Sequence, residues 1–275
     1  MSDSFPHHSD HSDEALLSVE NALVQAWAAL ENFRQDIVVV GGLAIHYHTR
    51  NKANPIYRPA ATLDVDFGIT LAADAGMAAP AGFALAMANF SENEQGRIFK
   101  KSEHGELYLD FLTEHPPRTA GTRNVSDLKA SICPGINGAL ANPIRRAVSG
   151  NDHYGEPRTF QIPFCDYGPL LVLKLNAFAG RTSAKKAKDA YDILTLVHSC
   201  EDGAERAVAS FGKEKGSGNT GMETALETLK NDFADVDATG PNLAKDFYHG
   251  AAANDSVSLR LKEDYVTIAR ALLDA

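Results

Sequence analysis

The stretch TLDVDFGI, residues 62–69, carries two aspartates one residue apart in a mostly apolar run. Because the side-chain period of a strand is two, we expect Asp64 and Asp66 on one face and Val65 and Phe67 on the other. Two like charges side by side are unfavourable unless a positive group lies between them. The simplest such group is a divalent metal, and Mg²⁺ is typically held by one or two carboxylates together with substrate phosphates. The stretch therefore predicts a site for Mg²⁺ (or Mn²⁺) and points to nucleotide chemistry.

A glycine pair precedes this strand in the chain. Gly41 and Gly42 follow the apolar run 37–40, which predicts a strand, and lead into a short helix predicted over 43–49. Without a Cβ, a phosphate can approach the backbone, and the start of a helix favours an anion. Taken alone this signal is weak, because a tight strand-to-helix turn also needs glycine for steric reasons. Neither a GxGxxG fingerprint nor a GK[ST] ending is present.

A third carboxylate lies on a later strand. Residues 106–112 alternate, with Leu107, Leu109 and Phe111 on one face and Asp110 on the other. If this strand pairs beside 63–69, the three aspartates converge at one rim of the sheet. Two metals about 3.5–4 Å apart would then clamp the attacking and leaving oxygens of a phosphoryl displacement. The alternative is that Asp110 is an exposed strand acid that only aids solubility.

The pattern along the chain predicts a mixed α/β N-terminal half and an all-helical C-terminal half. The domain division that follows is a disordered tail at 1–11, an α/β domain at 12–165 and a helical domain at 166–275. The elements expected in the first half are helices at 14–34 and 73–89, a loop at 50–61, and strands at 63–69, 97–101, 106–112 and 159–163. Residues 113–157 are rich in Pro, Gly and Asn and receive no assignment.

Charged residues in the second half fall on shared helix faces. Lys174 and Arg181 are seven residues apart, and Lys185, Asp189 and Asp192 share a face of the next predicted helix. Lys174 is suited to neutralise triphosphate charge, and Asp189 or Asp192 to orient it or to position an acceptor. The alternative is an ordinary surface with salt bridges.

Composition limits the classes of partner. The net charge of −10 disfavours broad binding to nucleic acids, although a local basic cleft is compatible with it. The three cysteines are widely spaced without a CxxC, which argues against a disulfide framework and a cysteine zinc site. No apolar run approaches the ~20 residues of a membrane span. The polar, acidic N-terminus lacks the features of a secretory signal, so we expect a cytoplasmic protein without a membrane partner.

Five short motifs, taken in order, resemble a known superfamily. VVVGG (38–42), LDVDF (63–67) and LYLDFL (107–112) match the pattern of the nucleotidyltransferase superfamily related to DNA polymerase β. LLVLKLNAFAGR (170–181) and KDAYDI (188–193) are similar to the Lys and KDxxD motifs of its AbiEii toxin-type branch. The resemblance spans roughly residues 37 to 198.

This resemblance implies a nucleotidyltransferase fold with a mixed sheet, followed by an all-helical domain. It implies metal-dependent transfer of NMP from an NTP to an acceptor hydroxyl, with release of pyrophosphate. The implied roles are metal binding by Asp64, Asp66 and Asp110, catalysis by these three with Lys174 and Asp189, and nucleotide binding by Gly41, Gly42, Lys174, Arg181 and Asp192. The implied partners are the NTP, an RNA (tRNA) or protein acceptor, and a cognate antitoxin.

The chain departs from the family pattern at three places, one of which is Gly42 in place of a serine, so that no hydroxyl is available there for phosphate. The gap between Gly42 and Asp64 is longer than usual, and Ala60 stands where an arginine is common, with Arg50 or Arg58 as a replacement. Two other functions stay open: a small-molecule nucleotidyltransferase of the aminoglycoside type, which suits the acidic charge, and a non-catalytic module that binds a nucleotide or a partner.

Overall fold

Four consecutive apolar residues, Ile37–Val40, form a short strand that is buried along its whole length. A continuous apolar run of this kind is typical of a strand covered on both faces. The strand lies inside a nine-stranded sheet in the computed structural model. The structure describes residues 13–52, 56–60, 62, 64–70, 80–103, 105–182, 185–250 and 256–275.

The strands of this sheet, in chain order, are β1 Ile37–Val40, β2 Asp64–Ile69, β3 Ser91–Glu92, β4 Ile98–Ser102, β5 Gly105–Thr113, β6 Thr122–Val125, β7 Leu128–Ile132, β8 Ile144–Asn151 and β9 Pro157–Phe164. The helices are α1 Asp13–Ala29, α2 Gly41–Thr49, α3 Ala81–Met87, α4 Ile136–Ala141, α5 Tyr167–Gly180, α6 Lys185–His198, α7 Ala204–Glu214, α8 Met222–Asp232, α9 Thr239–His249 and α10 Ser256–Asp274.

The sheet is open and mixed. Its main path runs β3-β4-β5-β2-β1-β9-β8, and β7 pairs with both β5 and β6. β2 is antiparallel to β1 and parallel to β5, while β1 is parallel to β9. The predicted combination of a mixed α/β first half with a helical C-terminal region is therefore present.

The strands β4, β5 and β9 differ from their predicted bounds by one or two residues, and three further differences concern the helices and the unassigned segment. α1 ends at Ala29, and a separate 3-10 turn, Glu31–Phe33, replaces its predicted last turn. α2 begins at Gly41 itself, two residues earlier than predicted. The unassigned segment 113–157 contains β6, β7, α4 and β8. The predicted tail at 1–11, and 71–79 of the predicted helix at 73–89, lie outside the described residues.

The chain divides into two compact units. The sheet unit contains the described residues of His11–Ala44 and Thr62–Asp166, and the helical unit those of Ile45–Ala61 and Tyr167–Ala275. None of the helices in the described part of the chain combines the length and apolar character needed to cross a membrane.

The loop predicted at 50–61 contributes residues 56–60 to the helical unit. The Ser199 hydroxyl donates to the Tyr57 carbonyl at 2.6 Å, and the Tyr191 hydroxyl donates to the Arg58 carbonyl at 2.6 Å. The Tyr57 hydroxyl in turn donates to Asp264 on α10 at 2.7 Å. These buried or partly buried hydrogen bonds hold the segment against α6 and α10.

Candidate active site

The three aspartates lie on one face of the sheet. The parallel register of β2 and β5 sets Asp66 beside Asp110 and Asp64 beside Tyr108. Residues that pair in register point to the same face, and neighbouring strands lie about 4.7–4.9 Å apart. All three carboxylate residues are half-buried, whereas Val65 and Phe67 are buried on the opposite face. The pairing that the sequence analysis made a condition for convergence is therefore present.

Arg97 is the residue on this face that the sequence analysis missed. Its Nε and Nη2 donate to the two oxygens of Asp110, at 2.8 and 2.6 Å, in a bidentate pair. Nη2 also lies 3.9 Å from Asp64 Oδ1, and the guanidinium carbon lies 3.9 Å from the ring centre of Tyr108. The hydrogen bond to Asp110 raises the pKa of Arg97 above its usual value, so the cation is permanent.

A signal for Arg97 was present in the sequence. β4 and β5 are antiparallel with Ile98 opposite Leu109, so Arg97 comes next to Asp110 across the strands. Residues 97–101 and 106–112 were both predicted as strands, and pairing them as a hairpin places these two residues opposite each other. The cation predicted between Asp64 and Asp66 stays a prediction; the structure shows a guanidinium that pairs with Asp110 and lies 3.9 Å from Asp64 Oδ1.

The carboxylate oxygens of Asp64, Asp66 and Asp110 are of the type that binds a hard divalent ion. Carboxylate oxygens are the ligands that Mg²⁺ and Mn²⁺ prefer. Within the described residues, however, no group of three or more His, Cys, Asp or Glu side chains is placed to hold a metal. Both oxygens of Asp110 are engaged by Arg97. Asp64 and Asp66 are therefore the residues that would hold the ion, and Asp110 joins them only if Arg97 moves.

Gly41 fits closely against this face. Val40, its neighbour, pairs with Asp66 across β1 and β2, and Gly41 itself has a φ of +68°. A Cβ at Gly41 would overlap the carboxylate of Asp66. Glycine is thus required both for the backbone conformation and for the close approach. Gly42 is buried as the second residue of α2, so the glycine pair lies at the start of that helix.

A second charged cluster lies in the helical unit, between α5 and α6. Lys174 Nζ donates to Asp189 at 3.2 Å and to Asp192 at 2.6 Å. Asp192 also accepts from Lys188 at 3.0 Å, and Asp189 also accepts from Arg181. Lys174, Asp189 and Asp192 are all buried. The structure thus brings Lys174, Arg181, Asp189 and Asp192 together, with Lys174 and the two aspartates buried and Arg181 at the edge, partly exposed.

Burial and charge oppose each other in this network. Burial alone would lower the pKa of Lys174, but the carboxylates of Asp192 and Asp189 outweigh it and raise that pKa above its usual value. Burial would raise the pKa of Asp192, but Lys174 and Lys188 lower it below its usual value. Both shifts favour the charged forms, so Lys174 and Asp192 form an ion pair at neutral pH.

One atom of the cluster has no described partner. Asp192 Oδ1 is buried, and among the described residues no group donates a hydrogen bond to it. A buried carboxylate oxygen without a donor costs free energy, so it is a ready acceptor for a ligand or an ordered water.

The two arginines considered as replacements at the Ala60 position both lie in the helical unit. The Arg50 guanidinium stacks over the Tyr47 ring, 3.8 Å from its centre. Arg58 is exposed, and its carbonyl is held by Tyr191.

No protein-family model, curated protein or solved structure matches this chain.

Proposed function

We propose that the chain is a metal-dependent nucleotidyltransferase that moves NMP from an NTP to an acceptor hydroxyl and releases pyrophosphate. The observation that carries the proposal is the parallel register of β2 and β5, which sets Asp66 beside Asp110. Gly41, packed against Asp66 at the start of α2, supports it further. Paired carboxylates beside a glycine turn are the parts that phosphoryl transfer needs for metal and phosphate binding.

Each residue of the sheet unit has a role in this proposal. Asp64 and Asp66 would hold the divalent ions, and Asp110 would complete the second site and help to activate the acceptor hydroxyl. When bound, such ions stabilise the charge on the attacking and leaving oxygens. Gly41 and Gly42 would let the phosphates approach the main chain at the start of α2.

The helical unit would supply cations and acceptors. The family resemblance gives Lys174 a contact with the triphosphate, and within the helical unit its ammonium donates to Asp189 and Asp192. Asp189 would hold Lys174 in place, and Arg181 would add a second, partly exposed cation. Asp192, through its buried Oδ1, would accept a hydrogen bond from the nucleotide.

The acceptor is the least constrained part of the proposal. The family resemblance favours an RNA acceptor, such as tRNA, or a protein, and a toxin whose activity a cognate antitoxin restrains. The net charge of −10 instead favours a cationic small molecule of the aminoglycoside kind. A non-catalytic module of the same fold is the other candidate. The Arg97–Asp110 pair favours this module, because Asp110 is a proposed metal ligand and Arg97 already engages it.

The decisive test is label transfer. The protein is incubated with Mg²⁺, each labelled NTP in turn and total tRNA, and then with an aminoglycoside in place of tRNA. We expect transfer by the wild type and its loss in Asp64→Ala/Asp66→Ala. The matched control is Asp235→Ala/Asp237→Ala, because residues 235–237 repeat the same Asp-Val-Asp tripeptide between α8 and α9.

The outcomes separate the candidates. Transfer that persists in Asp64→Ala/Asp66→Ala means that the assigned site is wrong. Transfer to the aminoglycoside alone identifies the small-molecule enzyme. No transfer to any acceptor, together with no NTP binding by calorimetry, supports the non-catalytic module.

A further inference from the structure

Arg97 and a divalent ion need the same carboxylate. The guanidinium covers both oxygens of Asp110 in a bidentate pair and reaches to 3.9 Å from Asp64. An ion bound to Asp110 would lie next to this permanent positive charge, and the bidentate pair occupies one acceptor position of each carboxylate oxygen. Arg97 therefore competes with a metal for Asp110.

The surroundings of Arg97 allow it to move. Its side chain is 38% exposed, and it lies just before β4 begins at Ile98. Asn93 holds the main chain of Arg97, while the guanidinium contacts the face of Tyr108 as well as the two aspartates. A stacked arginine can turn about its side-chain torsions and keep part of this contact. Its planar donors match phosphate oxygens as well as they match a carboxylate.

We propose that Arg97 is a gate on the aspartate face: it closes the face by holding Asp110 and opens it by transferring its guanidinium to an anionic phosphate group of the incoming nucleotide. This inference rests on the proposed function, and it adds a residue and a regulatory step to it. The exchange keeps the charges balanced, since Arg97 leaves a carboxylate for a phosphate while Asp110 becomes available to the cation.

The test measures Mn²⁺ binding to the full chain without nucleotide, by electron paramagnetic resonance of unbound Mn²⁺. We expect Arg97→Gln to bind Mn²⁺ about tenfold more tightly than the wild type, because one charge-assisted pair no longer competes. Arg97→Lys keeps the charge but lacks the planar fork, so it should give a smaller increase. Adding Asp64→Ala/Asp66→Ala to Arg97→Gln should abolish the gain.

The control is Arg145→Gln. Arg145 is an exposed arginine of the same unit, on β8, whose Nη1 donates to the Gln161 carbonyl. Arg145→Gln removes the same charge as Arg97→Gln, but Arg145 does not compete with the metal for Asp110. The Mn²⁺ affinity of this variant should therefore stay within about twofold of the wild type. Circular dichroism on heating checks that each variant is folded. If Arg97→Gln is unfolded, the Mn²⁺ affinity of Arg97→Lys is compared with that of the wild type instead.

An unchanged Mn²⁺ affinity in both Arg97 variants overturns the gate, and so does an equal increase in Arg145→Gln. These failures differ from failure of the proposed function. Label transfer by the wild type, together with an unchanged Mn²⁺ affinity in the Arg97 variants, supports the proposed enzyme and contradicts the gate. A gain in Mn²⁺ affinity without label transfer to any acceptor supports the competition between Arg97 and the cation for Asp110, but it argues against the proposed enzyme.

Discussion

Gly41 and Asp66 constrain each other at the scale of single residues. The carboxylate of Asp66 occupies the space that a side chain at position 41 would need, and the backbone there has a positive φ. Asp66 can therefore occupy its position only because Gly41 has no Cβ. The aspartate pair needs the glycine turn for its own placement, apart from any role of that turn in binding phosphate.

Gly41→Ala should lower the free energy of unfolding by about 1–2 kcal/mol through its backbone conformation alone, and should displace Asp66 as well. We expect label transfer and Mn²⁺ binding to be lost. The control is Gly155→Ala, because Gly155 also has a positive φ, +84°, but a Cβ added there would meet no atom within 4 Å. Equal stability losses with full transfer in both variants would contradict the close approach.

Arg97 is a site residue that the sequence pattern alone did not identify. The like charges of Asp64 and Asp66 predict a metal between them, and this stays a prediction. The structure adds an arginine beside β4, which pairs with Asp110 and lies 3.9 Å from Asp64. Identifying it needed the register of the β4–β5 hairpin, and register depends on the turn between the strands as well as on the pattern within them.

At the scale of elements, the α5–α6 pair depends on charges that are buried together. Lys174 has Asp189 and Asp192 as partners, and it has little solvent to replace either of them. A buried ion pair contributes little net stability compared with apolar packing, but loss of one partner leaves a buried charge unpaired. The cluster therefore fixes how α5 and α6 pack more than it adds to the stability of the fold.

Asp192→Asn should lower the free energy of unfolding by about 3 kcal/mol at neutral pH. The folded-state pKa of Asp192 lies below the ordinary value of 3.8, so its contribution is complete above that pH and is lost as the pH falls through the folded value. The pKa of Lys174 lies above 10.5, so its contribution is lost only on strongly alkaline titration. The wild type and the variant should therefore converge in acid.

Urea unfolding from about pH 7 to pH 3 measures this difference. Asp237→Asn is the control, since Asp237 is exposed and its pair with Lys262 should be worth less than about 1 kcal/mol. A stability difference between Asp192→Asn and the wild type that is the same at both ends of the pH range would contradict the ionised buried pair.

Apart from β7, strands with a clear pattern of apolar residues were predicted from the sequence, and strands with a weak pattern were not. β1, β2 and β5 are continuously apolar or alternate clearly, and they were found. β6 and β8 each bury a single residue, Val125 and Val148, so their sequences carry almost no period. β7 does alternate, with Leu128, Ala130 and Ile132 buried, and it could have been recognised. The docking of 56–60 onto α6 is a tertiary effect that no local pattern encodes.

At the scale of the whole molecule, charge restricts the partners. The net charge is −10, and acidic residues outnumber basic ones in both units. The cations of the helical cluster are largely committed to Asp189 and Asp192. The excess of acidic residues is large only in the sheet unit, so a long polyanion would meet net repulsion there, and any nucleic acid contact has to be local.

Duplex DNA without a specific sequence should bind more weakly than about 10⁻⁴ M at about 0.15 M salt, the weak end of the usual non-specific range. Fluorescence anisotropy of a labelled duplex measures this affinity. Micromolar binding that falls steeply with added salt would contradict it, and would require a basic surface that the charge distribution does not indicate.

The pairing of β1 also bears on how the chain acquires its structure. Val39 pairs in parallel with Phe164 at the end of β9, while its other neighbour, β2, follows soon after it in the chain. A nascent chain cannot complete the middle of the sheet before Phe164 has left the ribosome. Until then one edge of a fully apolar strand has no partner in β9, and such late, long-range pairing is intrinsically slow and prone to aggregation. The second edge of β1 thus gains its partner only after more than half of the chain has been made.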